Sequence, residues 1–310
     1  LSKAQRGELK DIGGLVGGWL KEGIRKNGNV TFRTLGWLDA DSIPADTDSQ
    51  RIVRTALDGV TYFLYSTHSH TPETPRYRIV ILFDREVSED EYPAAMRMVA
   101  KQIGMDYFDD STYEANRMMY WASCPSNGEF VFDEQSGDPL KVDKYLGMYA
   151  DWRDVSQWPT SSRQSEAVKR EVAKQEDPLS KRGVVGAFCR AYSITSAIEK
   201  FLPEVYSPSV IESRYDYILG EGTAGVVVYD DKFTYSHHAT DPACGKLLNA
   251  FDLVRIHKFG GDDEKKSFAA MTDFAIKDDD VKSQLATERM EQANADFSDA
   301  DWQKALVLDK

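Results

Sequence analysis

Three short stretches of this 310-residue chain set carboxylates, imidazoles and guanidinium groups at spacings from which chemistry on phosphate can be built. The first is Trp37-Leu38-Asp39-Ala40-Asp41, at the end of an extended run. Residues two apart on a strand face the same way, roughly 6.5 to 7 Å apart, so Asp39 and Asp41 can converge on hard divalent cations. Acidic pairs also occur in solvated loops, and taken singly this one fits either reading. The second is Tyr65-Ser66-Thr67-His68-Ser69-His70, with two histidines and several hydroxyls where an apolar strand stops. A core strand needs none of them, whereas a functional loop or an ordinary surface loop can carry them all. Pro75-Arg76-Tyr77-Arg78 follows. Arginines at i and i+2 share a face, and guanidinium forks bind phosphate bidentately while offsetting neighbouring carboxylates, which suits a triphosphate. The third stretch runs from Phe108-Asp109 to Asn116-Arg117 and offers another carboxylate eight residues before an arginine, or simply a capped turn before a strand.

These residues need a rigid support. Residues 30–41, 60–67 and 76–83 are β-prone runs of strand length. Residues 88–103 open with Ser88 and Glu91 in capping-box spacing, then set Tyr92, Ala95, Met96, Val99 and Ile103 on one face, which predicts a helix packed on the sheet. Residues 118–122 form a further short strand candidate, and turns at Gly128, Gly137 and Asp138-Pro139 lead to a domain end near Trp158-Pro159. The order describes an α/β or α+β domain over 1–159. A polar, charged stretch over 160–177 reads as a solvated helical linker. An accessory α+β module over 178–275 has helices over 184–192 and 195–201, then strands near 215–219, 225–229 and 232–236. An acidic helical tail occupies 276–310. Near the start, the glycine-rich residues 13–18 with Lys21, Arg25 and Lys26 serve either close backbone packing or contact with phosphate.

Composition narrows the class. With 41% hydrophobic and 29% charged residues the chain can bury a core, and single cores stop growing at roughly 250 to 300 residues, so two domains and a tail are expected. Cys124, Cys189 and Cys244 are too few and too far apart for a disulfide framework, which fits a reducing cytoplasm. No apolar run reaches the 18 or so residues of a membrane span, and the first residues lack a signal-peptide pattern. The formal charge of −13 argues against coating of duplex DNA by bulk electrostatics. Residues 262–310 contain 13 acidic and 7 basic residues and so account for 6 of those charges, leaving room for local basic surfaces elsewhere.

In order and content, Trp37-Leu38-Asp39-Ala40-Asp41, Ser66-Thr67-His68 and Phe108-Asp109 resemble the three motifs of the archaeo-eukaryotic primase superfamily. The resemblance is to the primase-polymerase branch of phages, plasmids and pathogenicity islands, often fused to a helicase. Asp109, Tyr113, Asn116 and Arg117 also resemble a stretch of the eukaryotic primase-polymerases. The likeness covers about residues 5–160, and more loosely the phrases at 183–192 and 235–243. Trp37 and Ala40 depart from the usual aliphatic positions around the acids.

The resemblance implies an RRM-like α+β catalytic core, with an antiparallel-rich sheet, helices on one face and the acids on the other, joined to a helical α+β accessory domain. It implies a DNA-dependent primase and polymerase that starts chains on single-stranded template. Asp39, Asp41 and Asp109 would hold two Mg²⁺ or Mn²⁺ ions, and His68 would act with them. His70, Ser66, Arg76, Arg78 and Arg117 are the candidates for holding an NTP or dNTP, with the motif histidine open between His68 and His70. Lys21, Arg25, Lys26 and Arg33, and the linker cations from Arg163 to Arg182, are candidate DNA-binding surfaces or plain solvated faces. His237 and His238 are candidates for an initiation loop; with Asp241 and Cys244 they match no zinc spacing. No GxxxxGK[ST] occurs, so a helicase motor would be a separate partner or lie beyond Lys310. Two other classes compete: a replication-origin or single-strand-binding module without catalysis, and a metal-dependent nuclease. Against the nuclease, the middle residue of His68-Ser69-His70 is polar, unlike that of a strand-borne His-hydrophobic-His pair. The expected setting is the cytoplasm of a bacterial host.

Overall fold

A computed structural model describes residues 13–164, 175–261 and 263–298. By contacts the chain divides into one unit of residues 1–173, 205–227 and 236–245, and a second of residues 174–204, 228–235 and 246–310. The contact groups therefore do not follow a single cut along the sequence. Strand pairs of the expected accessory region cluster with the N-terminal unit.

The first unit is built on an antiparallel sheet. Its elements are β1 (Gly14–Leu15), β2 (Gly18–Leu20), β3 (Val30–Ala40), α1 (Ser49–Ala56), β4 (Tyr62–Ser66), β5 (Tyr77–Val87), α2 (Glu91–Ile103), β6 (Met119–Tyr120), β7 (Phe132–Gln135) and α3 (Val142–Leu146). Five strands pair in the order β2-β3-β5-β4-β7, and β1 pairs with β6 as a separate ribbon. Alternation sorts the faces. Leu38, Leu64, Ile79 and Ile81 point into the main core with Ala95, Met96 and Val99 of α2. Trp37, Tyr65 and Val80 point the other way and are covered by Leu15 and Met119 of the ribbon. Asp39, two residues after Trp37, shares that second face, away from the helices. α2 starts on the expected capping box: Glu91 accepts from the Ser88 N–H at 2.9 Å, and Ser88 Oγ accepts from the Glu91 N–H at 3.2 Å. α1, β7 and α3 are additions to the elements read from sequence.

The glycine-rich run is a packing device. A Cβ on Gly18 would lie 2.0 Å from the Phe32 carbonyl oxygen, and one on Gly14 would lie 2.4 Å from that of Met119. Side chains there would push the ribbon and β2 off their partners.

Later in this unit, β8 (Tyr206–Pro208), β9 (Arg214–Tyr217) and β10 (Val226–Tyr229, of which only Val226 and Val227 fall in this unit) pair antiparallel in sequence order. Hydrogen bonds tie this region to the sheet domain. Thr223 exchanges backbone bonds with Arg153 and Val155 at 2.7 and 3.0 Å, and Asp90 accepts from the Glu221 N–H and the Thr240 hydroxyl. The second unit holds β11 (Phe233–Ser236, all but its last residue), β12 (Leu247–Leu248) and the helices α4 (Gly183–Ala191), α5 (Ile194–Phe201), α6 (Ala250–Phe259), α7 (Glu264–Ala275) and α8 (Asp279–Ser298). Its core is aromatic, with Phe188 against Tyr192, Phe201 and Phe251 at centroid distances of 5.2 to 5.8 Å. The remainder of the expected linker, 165–174, and of the acidic tail, 299–310, lies outside the described residues. No helix among those described is long and apolar enough to cross a membrane.

Candidate active site

The antiparallel register sets Asp39 opposite Arg78 on β5, and Arg78 opposite Tyr65 on β4. Asp39 Oδ1 lies 3.5 Å from Arg78 Nε, both side chains being about 15% exposed. Arg78 Nη1 donates to the Tyr120 carbonyl at 3.0 Å, and the Tyr65 hydroxyl donates to the same oxygen at 3.0 Å. The ribbon strand β6 is thereby tied to the end of the sheet.

The Asp109 loop is joined to β3 through main-chain bonds. The Asp109 N–H donates to the Asp39 carbonyl at 2.9 Å, the Asp39 N–H donates to Thr112 Oγ1 at 3.1 Å, and that hydroxyl donates to the Trp37 carbonyl at 3.0 Å. Asp109 Oδ1 accepts from the Ser111 N–H at 2.9 Å, and its Oδ2 lies 3.5 Å from Arg117 Nη2. Asp39 titrates above the ordinary aspartate range. Burial is the main cause, and the Asp41 and Asp109 carboxylates add to it while Arg78 and Arg117 oppose it. A cavity of about 240 Å³ opens between these elements, lined by Asp39, Asp41, His68, Arg76, Arg78 and Arg117, with Tyr120, Trp121 and Ser123 at its side. Six of the residues singled out from sequence therefore share one cavity; Asp109 is not among its lining residues and is joined to Asp39 through the main chain.

The two histidines part company. His68 lines the cavity, its Nδ1 3.2 Å from Ser123 Oγ. His70 is buried in the turn before β5, where its Nδ1 accepts from the Arg76 N–H at 3.1 Å and its ring lies 4.9 Å from that of Tyr77. The turn reverses between them, so the strand-like spacing of two does not keep them on one side. Ser66 is buried as well, its Oγ accepting from the Val131 N–H at 2.9 Å. His70 and Ser66 thus fix backbone, in contrast to the nucleotide-binding role expected of them.

Lys21, Arg25 and Lys26 are exposed between β2 and β3. Their loop is held by Glu89, which accepts from the Gly28 N–H at 2.7 Å and the Val30 N–H at 3.1 Å. It is also held by Asn116 Nδ2, which donates to Asn27 Oδ1 at 2.6 Å, one residue from Arg117. Arg33, expected on a basic surface, is fully buried. It donates to the carbonyls of Gly17, Leu35 and Ala115 and stacks 4.4 Å from the Tyr92 ring centre. His238, expected in an initiation loop, is 2% exposed and fills the space over Gly222 and Gly225. Burial, with help from Arg97 and Arg214, depresses the His237 imidazole to about 3. Burial also lowers the His238 imidazole, against Asp241 and Asp90. Sequence reasoning passed over Trp121 and Ser123 as cavity walls; the polar and aromatic residues following Arg117 were the available signal.

Among the described residues no three His, Cys, Asp or Glu side chains converge closely enough to hold an ion unaided. The donor chemistry of the acids nevertheless suits a hard cation, since Asp39, Asp41 and Asp109 offer carboxylate oxygens only.

Fold and site together define an α+β protein with an antiparallel sheet that presents an acidic and arginine-lined cavity on its helix-free face. Residues 1–161 match the VapE N-terminal domain family, more than half of the chain, and the chain belongs to that family. This membership agrees with the resemblance to the archaeo-eukaryotic primase superfamily. A search of curated proteins finds no match. Among solved structures, the chain is similar to the AEP domain of the primase-polymerase of cyanophage S-2L, at 16% identity and a TM-score of 0.34 over 47% of this chain and 76% of that one.

Proposed function

We propose that the chain is a DNA-dependent primase-polymerase, a nucleotidyltransferase with an RRM-like core that begins and extends chains on single-stranded template. The observation that carries this reading is the shared cavity, in which Asp39 and Asp41 face His68, Arg76, Arg78 and Arg117. Arginines around two carboxylates suit a polyanion that arrives with cations, since each charge type then has a partner. Arg76, Arg78, Arg117 and His68 hold the triphosphate of the incoming nucleotide. Asp39, Asp41 and Asp109 would hold Mg²⁺ or Mn²⁺, which would offset charge on the phosphoryl oxygens and favour attack by the primer 3′-hydroxyl. That oxygen bonds to the α-phosphorus, pyrophosphate leaves, and the hydroxyl proton is released. Arg78 has a second task, because it compensates the buried Asp39 carboxylate at 3.5 Å. Template lies over Lys21, Arg25 and Lys26, whose loop is linked through Asn27 and Asn116 to the neighbour of Arg117. A helicase, fused or separate, is the expected partner.

Nucleotide binding by calorimetry tests the assignment before any turnover. Binding of a nucleoside triphosphate should need Mg²⁺ or Mn²⁺ and should weaken at least roughly tenfold in Arg117→Ala, the loss of one charge-assisted contact. Equal affinity in Arg117→Ala and Asp39→Asn would remove the cavity from consideration.

A further inference from the structure

Residues 161–164 read as the start of a solvated linker, yet three of them in succession are bonded to the loop that presents Asp109. Ser161, 1% exposed, donates its hydroxyl to the Asp110 carboxylate, at 2.8 and 2.9 Å from the two oxygens. Ser162 gives both its N–H, at 2.8 Å, and its hydroxyl, at 3.0 Å, to Asp106 Oδ1. Arg163 Nη2 donates to the Phe108 carbonyl at 2.5 Å. The receiving residues 106, 108 and 110 alternate along the loop, and Asp109 sits between the last two.

The segment is anchored at its own ends. Arg97 Nη1 donates to the Pro159 carbonyl at 2.8 Å and to Gln164 Oε1 at 3.0 Å, and Ser161 Oγ accepts from the Gln164 N–H at 3.0 Å. On its other side the loop is bonded to β3 through the Asp109 N–H and Thr112. Asp109 therefore stands between a fixed strand and a fixed strap. None of the strap residues lines the cavity, so their effect on the site must pass through the loop.

We propose that Ser161, Ser162 and Arg163 are positioning residues that hold Asp109 at the height where it shares a divalent cation with Asp39 and Asp41. The inference rests on the reading of those acids given above. Ligand side chains must be held within about 0.5 Å of productive geometry, and loss of the partners that hold them costs about 10- to 100-fold in metal affinity. The catalytic unit accordingly extends past Pro159 to residue 164.

The test uses the full chain without nucleotide or DNA, with two readouts: Mn²⁺ titration by calorimetry, and hydrogen exchange of residues 106–113 in the absence of metal. Ser161→Ala and Arg163→Ala should weaken Mn²⁺ binding by about 10- to 100-fold and speed exchange of the Ser111 and Thr112 amides. Arg163→Lys should restore most of both. Should Ser161→Ala fail to fold, the partly exposed Arg163 carries the test alone. Native exchange and a native isotherm in Arg163→Ala would overturn the strap. Faster exchange with Mn²⁺ binding that neither Arg163→Ala nor Asp39→Asn alters would instead refute the acids as ion ligands, and the strap's role in metal binding with them.

Discussion

Glu89 lies at the foot of α2, 5% exposed, with both carboxylate oxygens on backbone N–H groups of the basic loop. Burial raises it from an ordinary 4.5 to about 7, against the opposing pull of those two N–H bonds. The folded chain therefore holds this proton more tightly than the unfolded one. The resulting stability is complete below pH 4.5 and is lost as the pH rises through about 7. At about 1.4 kcal/mol per pH unit, the contribution amounts to about 3 kcal/mol in all, and about 2.5 kcal/mol of it disappears between pH 5 and pH 8. Glu89→Gln cannot titrate. It keeps one carbonyl for two N–H groups, a constant cost of about 1 to 3 kcal/mol. Urea denaturation of both proteins at pH 5, 6, 7 and 8 should show the variant gaining on the parent by about 2.5 kcal/mol across the series. His70, His237 and His238, whose imidazoles burial depresses, titrate in the opposite sense but are common to both proteins and cancel in the difference. Parallel profiles would refute the buried, proton-retaining carboxylate.

Three further outcomes follow from the packing. His68→Ala should weaken nucleotide binding roughly tenfold or more and leave stability within about 0.5 kcal/mol, whereas His70→Ala should spare nucleotide affinity and cost about 1 to 3 kcal/mol by stripping the Arg76 N–H of its acceptor; calorimetry and denaturation read the two. Arg33→Ala removes the guanidinium from the Gly17, Leu35 and Ala115 carbonyls, of which Gly17 keeps the Thr34 and Leu35 N–H groups, and should cost about 3 kcal/mol or more by denaturation, with Arg33→Lys recovering only part. Gly18→Ala drives a methyl into the Phe32 carbonyl and should cost about 1 to 3 kcal/mol, read as a lowered unfolding midpoint with faster amide exchange in β2.

Much of the sheet that carries Asp39 could be read in advance because its signals are local. Ser88 and Glu91 form their capping box, the apolar run at 76–83 is a central strand, and strand alternation sends Trp37 and Asp39 to one face and Leu38 to the other. What stayed hidden depends on contacts far apart in sequence. Arg33 has the composition of a surface cation, but its acceptors are 2, 16 and 82 residues away. Ser161 to Arg163 look like linker because their partners lie 51 to 56 residues earlier. His68 and His70 are equivalent by spacing, and only the reversal of the turn, where the His70 N–H meets the Thr67 carbonyl at 3.0 Å, separates them. The glycine-rich run left two roles open, packing and phosphate contact, until the nearness of Phe32 and Met119 assigned it to packing.

The central claim is that the acids at the end of β3 catalyse templated nucleotide addition. The direct measurement is incorporation of labelled nucleotides by the full chain on single-stranded DNA without primer, in Mg²⁺ or Mn²⁺, beside Asp39→Asn. Metal-dependent products that vanish in the variant are the predicted result. Products that persist in Asp39→Asn, or DNA binding with no product in either metal, would contradict it.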